Sequence, residues 1–179
     1  GEWAFYNCTG LTSIKIPESV STIGYYAFYG CNGLTSIEIP ASVTYMAGAF
    51  SYVSTLKSVT FAEGSQLTSI DNSFSNTGIT SIEIPNGVKT IGLSAFANCS
   101  SLENISISDT VKTISDSAFK GCVSLETLII PDSVTSICDY AFFRCSSLES
   151  ITIGDSVTSI GGSAFFRCSS LESITIGDS

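Results

Sequence analysis

Apolar residues recur along this chain with two periods, a short one inside each segment and a long one between segments. In stretches such as Ile37–Ile39 and Ile151–Ile153 apolar and polar residues alternate, which is typical of a strand with one buried face. Val and Ile then follow three residues apart, as in Val134 and Ile137. Each segment therefore predicts a short strand, a second extended piece and a closing helical or 3₁₀ turn.

The long period is close to 23 residues. One phenylalanine returns every 22 to 24 residues, and residues 142–156 recur identically as residues 165–179. The residues of this series are Phe5, Phe28, Phe50, Phe74, Phe96, Phe119, Phe142 and Phe165. A unit of this length cannot bury its own apolar face, whereas stacked units bury one another. We therefore predict a single solenoid over residues 1–179, with about seven and a half coils, of the α/β repeat class but mostly β, whose strands form one continuous parallel sheet.

The repeat is least regular in the middle of the chain. Residues 62–66 (AEGSQ) replace the usual Pro-x-Ser turn with a longer one, and Val53 and Thr77 stand where other units carry Cys. We expect these central coils to be the least regular of the stack. Both chain ends fall inside a unit, which predicts that the sequence is a fragment of a longer protein.

Six of the seven cysteines hold one position of the period, three residues after the phenylalanine: Cys8, Cys31, Cys99, Cys122, Cys145 and Cys168. Apolar Val53 holds the same position, so we predict a core ladder of free thiols. Stacked side chains point in parallel, which is poor disulfide geometry. Cys138 replaces a glycine of other units, and we expect it to be the most reachable thiol.

Composition excludes several classes of function. Seven Lys or Arg against 16 Asp or Glu leave a net charge of -9, which argues against nucleic acid as a partner. The chain has no histidine, which removes the usual catalytic triads and most zinc sites. We therefore expect no enzyme activity, no catalytic or metal site and no cofactor. No apolar run is long enough for membrane insertion of this segment.

Two carboxylate columns repeat at 23-residue spacing. Their members are Asp109, Asp132, Asp155 and Asp178, and Glu103, Glu126, Glu149 and Glu172. We interpret them as turn-forming Asp and solvated Glu. The alternative is Ca²⁺ bound between stacked carboxylates.

The whole frame, L-x-x-I-x-I-P-x-S-V-x-x-I-G-x-x-A-F-x-x-C, resembles the BspA-like, or treponemal-type, leucine-rich repeats of surface proteins. The matching residues include Leu34, Ile37, Ile39, Pro40 and Val43, and Ile91, Gly92, Ala95, Phe96 and Cys99. The resemblance implies a non-enzymatic adhesion or recognition module, at the cell surface or secreted, that binds host matrix proteins, host cells or other microbes. The alternatives are a structural spacer that presents another domain and an accessory segment of a carbohydrate-acting enzyme.

The exposed face of the strands is the first candidate binding surface, because the sheet of a solenoid is a usual docking surface. The residues between the two buried positions of each strand are Lys15, Glu38, Thr60, Glu83, Ser106, Ile129, Thr152 and Thr175. Most are short and several carry hydroxyl groups. The alternative is that small hydroxyl residues simply fit a crowded stacked ladder.

Aromatic residues outside the phenylalanine series form the second candidate. One group is in the first three coils: Trp3, Tyr6, Tyr25, Tyr26, Tyr29, Tyr45 and Tyr52. The other is near the carboxyl end: Tyr140, Phe143, Arg144, Phe166 and Arg167. Tyr, Trp and Arg are enriched at binding hot spots, so we predict that the carboxyl-end group docks a protein ligand. The alternative is that these rings only cover the edges of the coils.

Overall fold

A computed structural model describes residues 1–177, which form a parallel β-solenoid of about seven turns. Its strands are β1 (Thr22–Ile23), β2 (Ser36–Ile39), β3 (Tyr45–Met46), β4 (Ser58–Phe61), β5 (Ser69–Ile70), β6 (Ser81–Glu83), β7 (Thr90–Ile91), β8 (Asn104–Ser106), β9 (Thr113–Ile114), β10 (Thr127–Ile130), β11 (Ser136–Ile137), β12 (Ser150–Ile153), β13 (Ser159–Ile160) and β14 (Ser173–Ile176). The even-numbered strands are the predicted strands of the repeat, and the odd-numbered ones are the predicted second extended pieces.

The pairing is parallel and in register, residue for residue, as the repeat requires. In β10, β12 and β14, for example, Leu128 pairs with Ile151, which pairs in turn with Ile174. The shorter strands β5, β7, β9, β11 and β13 form a five-stranded ladder of their own.

The predicted parallel β-solenoid is confirmed, and its ladder of longer strands is interrupted at two places. The longer strands form three hydrogen-bonded groups, β2 with β4, β6 with β8, and β10 with β12 and β14. The first break follows β4, where Phe61 replaces the usual Ile, packs edge-on against Phe74 at 6.4 Å and leads into the longer turn at residues 62–66. The expected irregularity of the central coils is therefore confirmed. Beyond the second break, β10 is one residue longer than β8.

The closing arc of each coil consists of turns, and residues 1–177 contain no helix, so the predicted mostly β class is confirmed while the helical or 3₁₀ turn does not form there. The residue two before the stacked phenylalanine and the residue two after it have positive φ, between 50° and 75°. We call these the left-handed positions. Left-handed residues interrupt any helix, and the backbone N–H groups here bond to the next coil. The bonds of one coil are Tyr140 N to Gly162 O (3.0 Å), Phe142 N to Ala164 O (2.8 Å) and Arg144 N to Phe166 O (2.9 Å).

The phenylalanine series is the spine of the core. Successive rings from Phe5 to Phe165 stack with centroids 5.0 to 5.9 Å apart and planes within 13° of parallel. The rings from Phe50 to Phe142 are fully buried. These centroid distances lie in the range that aromatic pairs prefer, so the coil spacing suits a continuous column of rings.

The thiol ladder is confirmed for the inner coils. Cys31, Cys99, Cys122 and Cys145 are buried and no disulfide links any cysteine of the described range. Each of these thiols donates to the carbonyl of the phenylalanine one coil earlier, as Cys145 Sγ does to Phe119 O at 3.1 Å. The thiol is thus a second donor to a carbonyl that already accepts a bond in its own turn, as Phe119 O accepts the N–H of Cys122 at 3.1 Å.

The most reachable thiol is Cys8 rather than Cys138. Cys8 is exposed, whereas Cys138 is half-buried. Burial raises the pKa of Cys99 to about 11 and that of Cys122 well above its usual range. A hydrogen bond from the Cys145 thiol lowers the pKa of half-buried Cys168.

Phe119 tests the spine most sharply, because it is fully buried with Phe96 at 5.4 Å on one side and Phe142 at 5.3 Å on the other. We expect Phe119→Ala to lower the free energy of urea unfolding by about 3 to 5 kcal/mol, through lost burial and the cavity that remains. A loss below about 1 kcal/mol would contradict the assignment of this ring to the core.

Thiol titration tests the cysteine ladder. In native protein near pH 8, we expect a thiol reagent to modify Cys8 first and half-buried Cys138 and Cys168 more slowly, and to spare the four buried thiols, which stay protonated. Denatured, unreduced protein should show all seven. A smaller number after denaturation would reveal a disulfide and overturn the free-thiol assignment.

Candidate functional site

The strand face is exposed as predicted, but it is not one uniform surface. All eight predicted residues are exposed: Lys15, Glu38, Thr60, Glu83, Ser106, Ile129, Thr152 and Thr175. Lys15 lies outside any strand, and the others fall into the three hydrogen-bonded groups of the ladder. Ile129 is 72% exposed and pairs with Thr152, so the last group has an apolar side chain beside hydroxyls.

Tyr140, Phe143, Arg144, Phe166 and Arg167 meet on the turn side of the last coils, and we call them the carboxyl-end patch. The Phe143 and Phe166 rings stack at 5.6 Å, and Tyr140 meets Phe143 edge-on, also at 5.6 Å. Each guanidinium lies over a ring of its own coil, Arg144 at 5.3 Å and Arg167 at 5.6 Å from the centroid. Phe143 is half-buried and the other four are exposed.

Lys120 also contributes to this patch, and our sequence reasoning missed it. Its Nζ lies 5.5 Å from the centroid of Phe143. Lys120 holds the position of Phe143 one period earlier, so the repeat alignment was the signal that could have identified it. Three cations therefore gather around two stacked rings on an otherwise acidic chain.

Six of the seven amino-end aromatic residues also meet on the turn side, and we call them the amino-end array: Trp3, Tyr6, Tyr25, Tyr26, Tyr29 and Tyr52. Tyr6 stacks on Tyr29 at 4.9 Å, and Tyr29 contacts Tyr52 at 5.0 Å. Trp3 contacts Tyr6 and Tyr26, both at 5.0 Å. The seventh residue, Tyr45, lies apart in β3.

Six bulky residues of the two groups hold left-handed positions: Trp3, Tyr26, Tyr52, Tyr140, Arg144 and Arg167. Before the phenylalanine these positions are held by Trp3, Tyr26, Gly48, Asn72, Ser94, Ser117, Tyr140 and Ser163. After it they are held by Asn7, Gly30, Tyr52, Asn76, Asn98, Gly121, Arg144 and Arg167. Gly and Asn suit this conformation, whereas a bulky side chain costs about 1 to 2 kcal/mol. The central coils therefore use small residues, and the bulky ones are confined to the amino-end array and the carboxyl-end patch.

A depression of about 580 Å³ beside the longer turn was not predicted as a site. It is lined by Glu63 of that turn, by Glu83 and Ser106 of the strand face, and by Asp109. The departure of residues 62–66 from the repeat was its signal in the sequence.

In the aspartate column, Asp132 bonds to the backbone of the next coil, since its Oδ1 accepts the N–H of Asp155 at 3.1 Å. Asp116, outside the two columns, does the same with the N–H of Asp139 at 3.2 Å. Asp178 lies outside the described residues. Within residues 1–177 no group of three or more potential metal ligands gathers, so the Ca²⁺ alternative finds no cluster there. The same range contains no helix that is long and apolar enough to cross a membrane.

Several proteins of known structure are similar to this chain. A leucine-rich repeat protein from Bacteroides ovatus is 33% identical with a TM-score of 0.64, over 99% of this chain and 58% of its own length. A leucine-rich cell surface protein from Faecalibacterium prausnitzii is 26% identical with a TM-score of 0.50, over 100% of this chain and 76% of its own. A leucine-rich repeat protein from Eubacterium ventriosum, 23% identical with a TM-score of 0.56 over 91% of this chain and 54% of its own, shares the fold. Among curated protein sequences none matches significantly.

The family comparison covers nearly every coil. The family model described as the BspA type leucine-rich repeat region matches residues 1–73 and 68–179, with six copies. The family and the first of these similar proteins are both described as leucine-rich repeat proteins. Period, spine and match agree, and the chain belongs to the BspA-type leucine-rich repeat family.

Proposed function

We propose that this chain is an extracellular recognition module that binds a protein ligand at the carboxyl-end patch. Its family and its similarity to bacterial repeat proteins, one of them described as a cell surface protein, support a role in protein interaction outside the cell. The ligand class that the family suggests is a host matrix protein or another surface protein, bound by the solenoid as a single unit.

The observation that carries this proposal is the choice of residue at the left-handed positions. Tyr140, Arg144 and Arg167 stand there with φ of 57°, 61° and 64°, where the central coils have Asn, Ser or Gly. Bulky residues cost backbone energy at these positions, and all three side chains are exposed. Backbone strain of this kind clusters at functional sites.

The chemistry of the patch favours an acidic, extended segment as the ligand. Lys120, Arg144 and Arg167 account for three of the seven cations of a chain whose net charge is -9. Their contact with the rings of Phe143 and Phe166 combines apolar area with planar cations, the combination typical of hot spots. Two guanidinium groups one coil apart can reach carboxylates at alternate positions of an extended peptide, about 6.6 Å apart.

Replacing both arginines with asparagine, the residue found at the same repeat position in other coils, tests this proposal. Arg144→Asn with Arg167→Asn matches Asn76 and Asn98, so we expect the free energy of unfolding to change by less than about 1 kcal/mol, because relief of backbone strain offsets the lost cation contacts. Binding of the fragment to a panel of immobilised matrix proteins should fall at least tenfold.

The matched control removes two exposed cations outside the patch. Lys89→Thr with Lys112→Thr copies Thr44 and Thr135 of the same column and should leave binding unchanged. Equal losses in both double variants would mean that binding follows net charge alone. A Phe143→Ser, Phe166→Ser variant that keeps its binding but loses stability would show that the rings are only structural cover. If the parent chain shows no saturable binding at all, the spacer role is favoured, and turnover of a polysaccharide would favour the enzyme segment.

A further inference from the structure

The amino-end array is a built surface. The ring of Tyr26 lies over Gly48, where an added Cβ would come within 2.6 Å of Cε1 of that ring. Glycine at this position of the next coil therefore makes room for the tyrosine. Trp3, Tyr26 and Tyr52 hold left-handed positions with φ of 57°, 54° and 60°. Three bulky residues with an unfavourable backbone conformation, and one glycine that accommodates a ring, thus lie on the same side of three adjacent coils.

Four of the six residues of this array are exposed, and Tyr26 and Tyr29 are half-buried. Trp3 is 49% exposed, Tyr52 50% and Tyr6 41%. A cluster of this size on one side of a small domain is typical of an interaction surface. The array differs from the carboxyl-end patch in one respect, which is charge.

In the carboxyl-end patch, rings on this side of the solenoid already contact cations of the chain itself. There Lys120, Arg144 and Arg167 lie 5.3 to 5.6 Å from ring centroids. In the amino-end array no Lys or Arg of residues 1–177 lies over a ring. The first 88 residues contain two Lys or Arg residues. Lys15 holds a position of the strand face, and Lys57 directly precedes β4.

We propose that the amino-end array binds a basic segment of a partner protein, with Lys or Arg side chains placed on its rings. The faces of Trp and Tyr rings attract cations, and the effect grows when the cation is desolvated. The net charge of -9 adds long-range attraction for a basic segment. This site is separate from the carboxyl-end patch and takes a ligand of opposite charge.

Trp3 is the only tryptophan of the chain and lies within the array, so its fluorescence reports on the site directly. The probe is a synthetic peptide of alternating arginine and glycine, titrated at low salt beside a twin in which glutamine replaces arginine. We expect saturable binding of the arginine peptide, weakened by added salt, and at least tenfold weaker binding of the twin.

A variant with two rings removed tests the array itself. Tyr29→Ser with Tyr52→Asn copies Ser75 and Asn76 of the same columns and leaves the direct contacts of Trp3 with Tyr6, Tyr25 and Tyr26 in place. Affinity for the arginine peptide should fall at least tenfold. The control Tyr45→Thr removes an exposed tyrosine outside the array, matches Thr90 of its column and should leave affinity unchanged.

Three results would overturn this proposal. Equal binding of both peptides, or of the double variant and the parent, would exclude cation recognition by the rings. A Trp3 response to a neutral oligosaccharide and not to the arginine peptide would assign the array to sugars. Self-association in sedimentation equilibrium that disappears in the Arg144→Asn, Arg167→Asn variant would identify a second copy of this chain as the occupant. If the array binds a basic partner, the Arg144→Asn, Arg167→Asn variant should bind the arginine peptide as the parent does. This result is expected even if the carboxyl-end patch binds no ligand.

Discussion

The turn of each coil must direct its backbone N–H groups at the coil that follows, and the rest of the structure depends on this constraint. The phenylalanine and the residues two before and two after it donate to carbonyls of the next coil at 2.6 to 3.1 Å in nearly every coil. The two flanking residues have a left-handed conformation. These bonds place each phenylalanine ring over the next, and the stacked rings set the register of the strands on either side.

Because of this constraint, bulky residues at the left-handed positions are unfavourable unless they serve a function. A left-handed position accepts Gly and Asn at little cost, and a large side chain there has to be maintained against a steric penalty. In the central coils the positions hold residues such as Asn76 and Gly121, and the surface there is small and polar. In the amino-end array they hold residues such as Tyr52, and in the carboxyl-end patch they hold Tyr140 and Arg144. Among residues 1–177, no Lys or Arg lies over a ring of the array, whereas cations lie over the rings of the patch.

Much of this architecture follows from the sequence because stacking copies one pattern many times. The period identified the stack of Phe119 on its neighbours, the alternation identified strands such as β10, and the shared column of Cys122 and Val53 identified the thiol ladder. Stacking also brought Phe143 and Phe166 together, since they stand one period apart.

Other features could not be predicted because they depend on backbone geometry that the pattern does not encode. The left-handed turns have no consistent signature, since Tyr140 and Ser117 hold the same position as Gly48. The turn was therefore predicted as helical or 3₁₀. The break after β4 arises from the packing of Phe61, and the contribution of Lys120 depends on where its long side chain reaches.

The central claim is that recognition takes place on the turn side of the solenoid and not on its strand face. Amide chemical shifts of the isotope-labelled chain, compared with and without the matrix protein that it binds, test this claim most directly. We predict changes concentrated at residues 140–144 and 163–167. Changes concentrated at residues 127–129 and 150–152, with the turn residues unaffected, would contradict it.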